Sequence, residues 1–242
     1  MIFRELSIFS KRWAIQSPNA MAALVETDCV LCGATGAGEV CGACDASLPR
    51  VDAACPRCAL PDVGSQACGA CLRHAPAFDG AVCVFAYGFP LDAMVRRFKY
   101  AGDLAIGRWL ALELAARVAN EPAPDAIVVP PSTRARLRER GFNQALELAK
   151  VVARQRGIVL RRDAVARSRE AAVQAGLTRA GRIANLREAF TCERPMKGRD
   201  VVVVDDVVTT GATAEAMARA LKAAGAARVR VWAVARTPRP GE

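Results

Sequence analysis

Histidine is nearly absent from this chain: His74 is the only one in 242 residues. That disfavours a Ser-His-Asp or Cys-His nucleophile and an HExxH zinc centre. Aromatic residues make up only 5% of the chain and do not interleave with its arginines, so platforms on which nucleic-acid bases could stack are scarce. No apolar run approaches the ~20 residues needed to span a bilayer. The amino-terminal MIFRELSIFSKRWAIQ alternates charge with apolar residues and lacks the uninterrupted apolar stretch of a secretory signal. The expectation is a cytoplasmic protein without a membrane span, in which residues 1–28 form a tail or a short helix. Two nucleotide motifs are missing as well. Without GxxxxGK[ST] a P-loop NTPase is disfavoured, and without GxGxxG after the first strand a dinucleotide site is weakened.

What is present argues for a well-cored protein. Hydrophobic residues reach 52%, and the length suits one large α/β domain or a medium domain with a small appendage. Charge is unevenly spread. Six Lys/Arg face eight Asp/Glu through residue 80, whereas 28 face 16 beyond it. The excess collects in RARLRER (134–140), RRDAVARSRE (161–170) and LTRAGR (177–182). Such segments suit a polyanion, either nucleic acid or a pyrophosphate-bearing small molecule; a solvated Arg-rich surface is the alternative.

Ten cysteines are present, eight of them in four CxxC pairs: Cys29/Cys32, Cys41/Cys44, Cys55/Cys58 and Cys68/Cys71. A CxxC turn converges two thiolates on one tetrahedral ion, so two turns complete a four-cysteine zinc site. Disulfides fit poorly in a reducing compartment. Two structural zinc ions in a double ribbon over residues 29–72 are expected. The similarity of the halves favours sequential sharing over a cross-brace. Two zinc ions in eight thiolates would leave this segment still more acidic, which favours a scaffold or protein-docking role over nucleic-acid binding. Cys83, within the apolar AVCVFAY, reads as a small core residue, and His74 as solvated.

From about residue 80 to 242 strands alternate with helices, as in an α/β domain with a mainly parallel sheet. AVCVFAY (81–87), AIVVP (126–130), RDVVVVD (199–205) and ARVRVWAVA (227–235) read as strands; LDAMVRRFKY, 104–120, 143–157 and 213–226 read as helices. Ligands of such sheets bind beyond the carboxyl ends of the strands. There the stretch VVVVDDVVTTGAT (201–213) places Asp205 and Asp206, two adjacent carboxylates that are costly to desolvate without a partner. The small-residue turn Thr209-Thr210-Gly211-Ala212-Thr213 follows, opening a helix: converging amides, hydroxyls and a helix amino terminus make a phosphate cradle. A monophosphate beside two carboxylates suits a phosphorylated ribose, whose hydroxyls the acids can meet directly or through Mg2+.

VVVVDDVVTTGAT closely resembles the motif that binds 5-phosphoribosyl 1-diphosphate (PRPP) in type I phosphoribosyltransferases. RGFNQ (140–144), with Arg140 and Gly141, and Q-x2-L-x4-R-x2-N-x4-F (174–190), with Arg182 and Asn185, resemble signatures of the ComF family, whose members carry amino-terminal cysteine knuckles. The likeness covers about 29–235. It departs at Val128-Val129-Pro130-Pro131, where that family reads VPVP. The resemblance implies a type I phosphoribosyltransferase-like α/β fold. It also implies Asp205 and Asp206 on the ribose hydroxyls and the 209–213 turn on the 5′-phosphate. PRPP would bind with Mg2+, and an unidentified nitrogen acceptor would displace pyrophosphate. The segment 131–144, a glycine turn with four arginines including Arg134 and Arg140, suits the pyrophosphate. Lys99, in RFKYAGD, matches a family K-[FY]-x-G stretch, and 166–186 reads as a lid carrying Arg182 and Asn185, or as a plain surface loop. Asn143 is equally a helix cap or a ligand contact. The rival implication is a non-catalytic accessory protein of DNA uptake that binds PRPP or single-stranded DNA, with the ribbons docking a competence helicase.

Overall fold

A computed structural model of the chain describes residues 27–36, 38–167 and 189–238. Residues 1–26 of the expected tail, and Gln174, Arg182 and Asn185 of the expected lid, lie outside the described residues. The cysteine-rich segment contains two short helices, α1 (Gly42–Ala46) and α2 (Gly69–Arg73). Each begins just after the first cysteine of a CxxC pair, and the Cys41 sulfur caps α1 by accepting from the Cys44 N–H at 3.5 Å.

The remainder is built on β1 (Gly80–Ala86), β2 (Ala126–Val128), β5 (Asp200–Val208) and β6 (Arg228–Arg236). They form one parallel sheet in the order β1-β6-β5-β2. Both faces are covered, which is why 201–204 is an unbroken valine run. Val202 and Val204 face one side with Trp232, under α4 (Leu104–Arg117) and α6 (Gln144–Arg156), which contribute Leu110, Leu114, Leu148 and Val152. Val201 and Val203 face the other, with Met217 and Leu221 of α7 (Ala212–Ala223) and Phe78 from the chain leaving the second ribbon.

Helix limits follow local chemistry. Asp103 caps α4 by accepting from the Ile106 N–H, and Asn143 caps α6 by accepting from the Leu146 N–H. Gly157, at φ 64°, ends α6 in the left-handed conformation that favours glycine.

Four details differ from the sequence reading. LDAMVRRFKY is not one regular helix: α3 (Leu91–Arg96) continues as a π-helical turn over Arg97–Ala101. The basic segment after β2 is a short helix, α5 (Arg134–Arg140), because Thr133 caps it by accepting from the Arg136 N–H and Gly141, at φ 79°, ends it. β5 runs past the acidic pair to Val208, since its backbone keeps pairing with β6 as far as Arg236. A small antiparallel ladder of β3 (Val165–Arg167) and β4 (Phe190–Cys192) flanks the expected lid.

Candidate functional site

The eight knuckle cysteines gather into two tetrads, Cys29/Cys32/Cys41/Cys44 and Cys55/Cys58/Cys68/Cys71, the sulfurs of each lying within 4.8 Å of one another. Sharing is therefore sequential. The Cys32–Cys41 and Cys58–Cys68 sulfurs are 3.7 and 3.8 Å apart. Four thiolates at Zn–S distances of ~2.3 Å around a tetrahedron would stand ~3.8 Å apart, so both cages fit zinc. Backbone amides also support them: Cys41 N–H donates to the Cys29 sulfur and Cys68 N–H to the Cys55 sulfur, each at 3.3 Å. Cys83 belongs to neither cage; burial pushes its thiol up to about 12, as suits an inert core residue.

Beyond the carboxyl ends of the strands lies a cleft of about 290 Å³. The acidic pair on β5 forms its floor. Tyr87 after β1, Pro130, Pro131 and Ser132 after β2, and Arg136 and Arg140 of α5 form its walls, together with Asn143, Gln144, Arg167, Thr209 and Thr213. The π-helical turn aims Lys99 across this floor, where its Nζ stands 2.9 Å from Asp206 Oδ2. The two side chains are 17% and 15% exposed, so the pair is shielded from bulk water.

Asp205 has no such cation at contact distance among the described residues. Burial first, then the neighbouring Asp206 charge, push its carboxyl up to about 7, against the pull of the Asp206 N–H, Lys99 and Arg136. Asp205 keeps some exposed surface, but protein surrounds it densely at longer range, and that crowding governs its solvation.

Two buried donors lie beside the cleft. Gln144 is 4% exposed, yet its Nε2 is buried without a partner among the described residues, as is Arg140 Nε. The rest of Arg140 is held in place: it donates to Gln144 Oε1 at 3.4 Å and to the Tyr100 hydroxyl at 3.2 Å, with its guanidinium 4.9 Å from the Tyr100 ring centre.

The structure thus brings Lys99, Arg140, Asp205, Asp206, Thr209 and Thr213 to one cleft. Arg134 sits on the exposed side of α5 and does not line it, because a helix turns residues 136 and 140 to one face and 134 to another. Gly141 acts as the cap of α5. Asn143 caps α6 and also donates through Nδ2 to the Pro130 carbonyl at 3.0 Å. Thr210, Gly211 and Ala212 form the far rim of the turn, with Gly211 at φ 80° and the Thr210 hydroxyl accepting from the Ala212 N–H. Tyr87 and Arg167 went unrecognised in the sequence, and Arg136 and Gln144 were not singled out from the basic segment 131–144. The i, i+4 spacing of Arg136, Arg140 and Gln144 could have singled out two of them, whereas Tyr87 and Arg167 arrive from the ends of distant strands without a local signal.

A wider groove of about 730 Å³ runs behind the turn, between α2, His74 and the start of α7. Most of its charges are already partnered: Glu215 pairs with Arg219 and accepts from the Ala77 N–H, and Arg236 donates to backbone carbonyls, whereas Arg73 is exposed on its rim. The smaller cleft, where an acidic floor meets Lys99, Arg136 and Arg140, is the stronger ligand site.

An acidic pair and a threonine-glycine turn at the carboxyl ends of a parallel sheet, behind paired cysteine cages, define a phosphoribosyl transferase domain preceded by a double zinc ribbon. Family models match accordingly: phosphoribosyl transferase domain over residues 141–242 and double zinc ribbon domain over 20–72. The chain is 36% identical over 219 residues to the DNA utilization protein YhgH of Escherichia coli (strain K12), covering 86% of this chain and 96% of that one. It is 34% identical over 181 residues to competence protein F of Haemophilus influenzae, covering 71% and 79%. The chain belongs to this ComF family. Among solved structures, a glutamine PRPP amidotransferase from B. subtilis complexed with ADP and GMP aligns over 52% of this chain and 25% of that one, at 23% identity and a TM-score of 0.37. No helix among the described residues is long and apolar enough to cross a membrane.

Proposed function

We propose that this protein binds PRPP with Mg2+ in the cleft and transfers its phosphoribosyl group to a nitrogen nucleophile. The observation that carries this reading is the convergence of Asp205 and Asp206, Thr209 and Thr213 from the two ends of the turn, and Lys99, Arg136 and Arg140 on one cleft beyond the sheet. Ionised Asp205 and Asp206 accept from the ribose 2′- and 3′-hydroxyls. The turn donates backbone N–H and hydroxyl groups to the 5′-phosphate. The guanidiniums of Arg136 and Arg140 grip pyrophosphate oxygens, and Lys99, released from Asp206 as the ribose takes its place, adds a point charge.

The bond from C1 to the pyrophosphate oxygen breaks and its electron pair leaves with pyrophosphate, while the acceptor nitrogen forms the new bond to C1 and loses a proton. Positioning and charge dominate such an oxocarbenium-like displacement. The carboxylates of Asp205 and Asp206 fit a hard, oxygen-seeking cation, and Mg2+ bound there would offset charge on the departing pyrophosphate. A carboxylate oxygen of Asp205 left free by the ribose can take the acceptor's proton.

Calorimetric titration of PRPP with Mg2+ tests the site. We expect binding by the natural chain and its loss in the Asp205→Asn/Asp206→Asn variant; equal binding by both would refute the assignment. Pyrophosphate release against a panel of bases and amines then separates transfer from binding alone.

A second reading is that single-stranded DNA lies along the basic surface. The exposed Arg134 and Arg138 on α5 favour it, as do the names of the relatives, one a DNA utilization protein and one a competence protein. Filter binding that falls steeply with salt would support it. A helicase docked on the zinc ribbons is the partner this reading adds.

A further inference from the structure

Arg236, the last residue of β6, joins two parts of the molecule that are far apart in sequence. Its Nε donates to the carbonyl of Cys58, a ligand of the second cage, at 3.1 Å. Its Nη1 donates to the Val208 carbonyl at 3.0 Å and also serves Thr209 and Thr237. Val208 and Thr209 are where the strand becomes the phosphate turn. One guanidinium therefore fixes both the knuckle backbone and the root of the turn, with separate nitrogens for each. A second link runs in parallel: the Ala77 N–H, on the chain leaving the second ribbon, donates at 2.7 Å to Glu215 in the first turn of α7.

Carbonyls gathered at one guanidinium must be satisfied together or left unpaired, so movement of the knuckle is felt at the turn. From this we infer that Arg236 is a positioning residue that couples the zinc ion held by Cys55, Cys58, Cys68 and Cys71 to the phosphate turn. Assembly of that knuckle sets the turn in its ligand-ready shape, and PRPP in the turn holds the knuckle closed. The inference rests on the PRPP reading above. Coupling free energies are reciprocal, so each ligand tightens the other by the same factor.

The test uses the full chain loaded with zinc. Zinc loss to a zinc-selective chelator is followed with and without saturating PRPP and Mg2+, beside calorimetric titration of PRPP. In the natural chain PRPP should slow the release of one zinc equivalent by about fivefold or more, the lower end of typical allosteric coupling. Arg236→Met, with its zinc retained, should bind PRPP about tenfold more weakly and lose the protection. If Arg236→Met does not retain its zinc, Arg236→Lys carries the test. One ammonium cannot serve Cys58 and the turn from two separate nitrogens, so affinity and protection should again both fall. A natural chain that binds PRPP but releases both zinc ions at an unchanged rate overturns the coupling alone. So does a zinc-loaded variant with unaltered affinity and protection. A natural chain that binds no PRPP overturns the functional reading first.

Discussion

Replacing Asp205 with asparagine should change how stability depends on pH. In the folded protein its carboxyl is raised from 3.8 to about 7, first by burial and then by the Asp206 charge. Between these values the folded state holds a proton that the unfolded chain has released. Stability contributed by this group is therefore full below about pH 4, declines as pH rises, and levels off above about pH 7. One proton limits the slope to about 1.4 kcal/mol per pH unit, and Asp205→Asn abolishes it. Urea midpoints at several pH values between about 5.5 and 8 provide the assay, a range in which the zinc thiolates of both proteins behave alike. The variant should gain on the natural chain steadily up to about pH 7. A difference that stays flat, or that narrows as pH rises, would refute the claim that burial and Asp206 hold this proton. The same titration governs ligand binding, because a ribose hydroxyl donates to the ionised form. PRPP affinity of the natural chain should rise toward pH 7, by up to about tenfold per unit.

Lys99→Met removes the ammonium paired with Asp206 and a charge that restrains Asp205. The pair keeps some exposure, so urea unfolding should show a loss of about 1–2 kcal/mol, below the cost of breaking a fully buried pair, and PRPP binding should weaken. Gly107→Ala would drive a methyl into the ring of Phe98, and Phe98 packs at 5.5 Å between ring centres against Phe142. Thermal unfolding should show a destabilisation of about 1–3 kcal/mol from overpacking; an unchanged midpoint would mean that Phe98 moves freely.

The zinc cages and the acidic turn were legible because their chemistry is local. Cysteine spacing encodes knuckles within a few residues, and VVVVDDVVTTGAT encodes strand, acids and cradle in one stretch. Asn143 and Gly157 announced the ends of α6 in the same way. The segment 134–140 was harder to read. Leu137 is the only large apolar side chain in RARLRER, so no amphipathic stripe reveals the helix, which is set by the Thr133 cap and the Gly141 stop. Reading it as a loop gave Arg134 and Arg140 equal standing, and the helical turn separates them. Arg236 illustrates a different limit. It reads as an ordinary charge at a strand end, and its contact with Cys58 spans 178 residues. Only the folded chain brings those two together.

The π-helical turn over Arg97–Ala101 has a consequence for how this site can change over time. Such a turn is an α-helix into which one extra residue has been fitted. Deleting Arg97, ahead of Lys99, would let the turn relax to ordinary helical geometry while the chain on either side keeps its register. Side chains within the turn would be re-aimed, carrying the ammonium of Lys99 away from Asp206. A single-codon gain or loss, with no substitution in the cleft, could thus switch the site between a cation-furnished and a cation-poor form. In an aligned set of homologues that switch would appear as a one-residue gap.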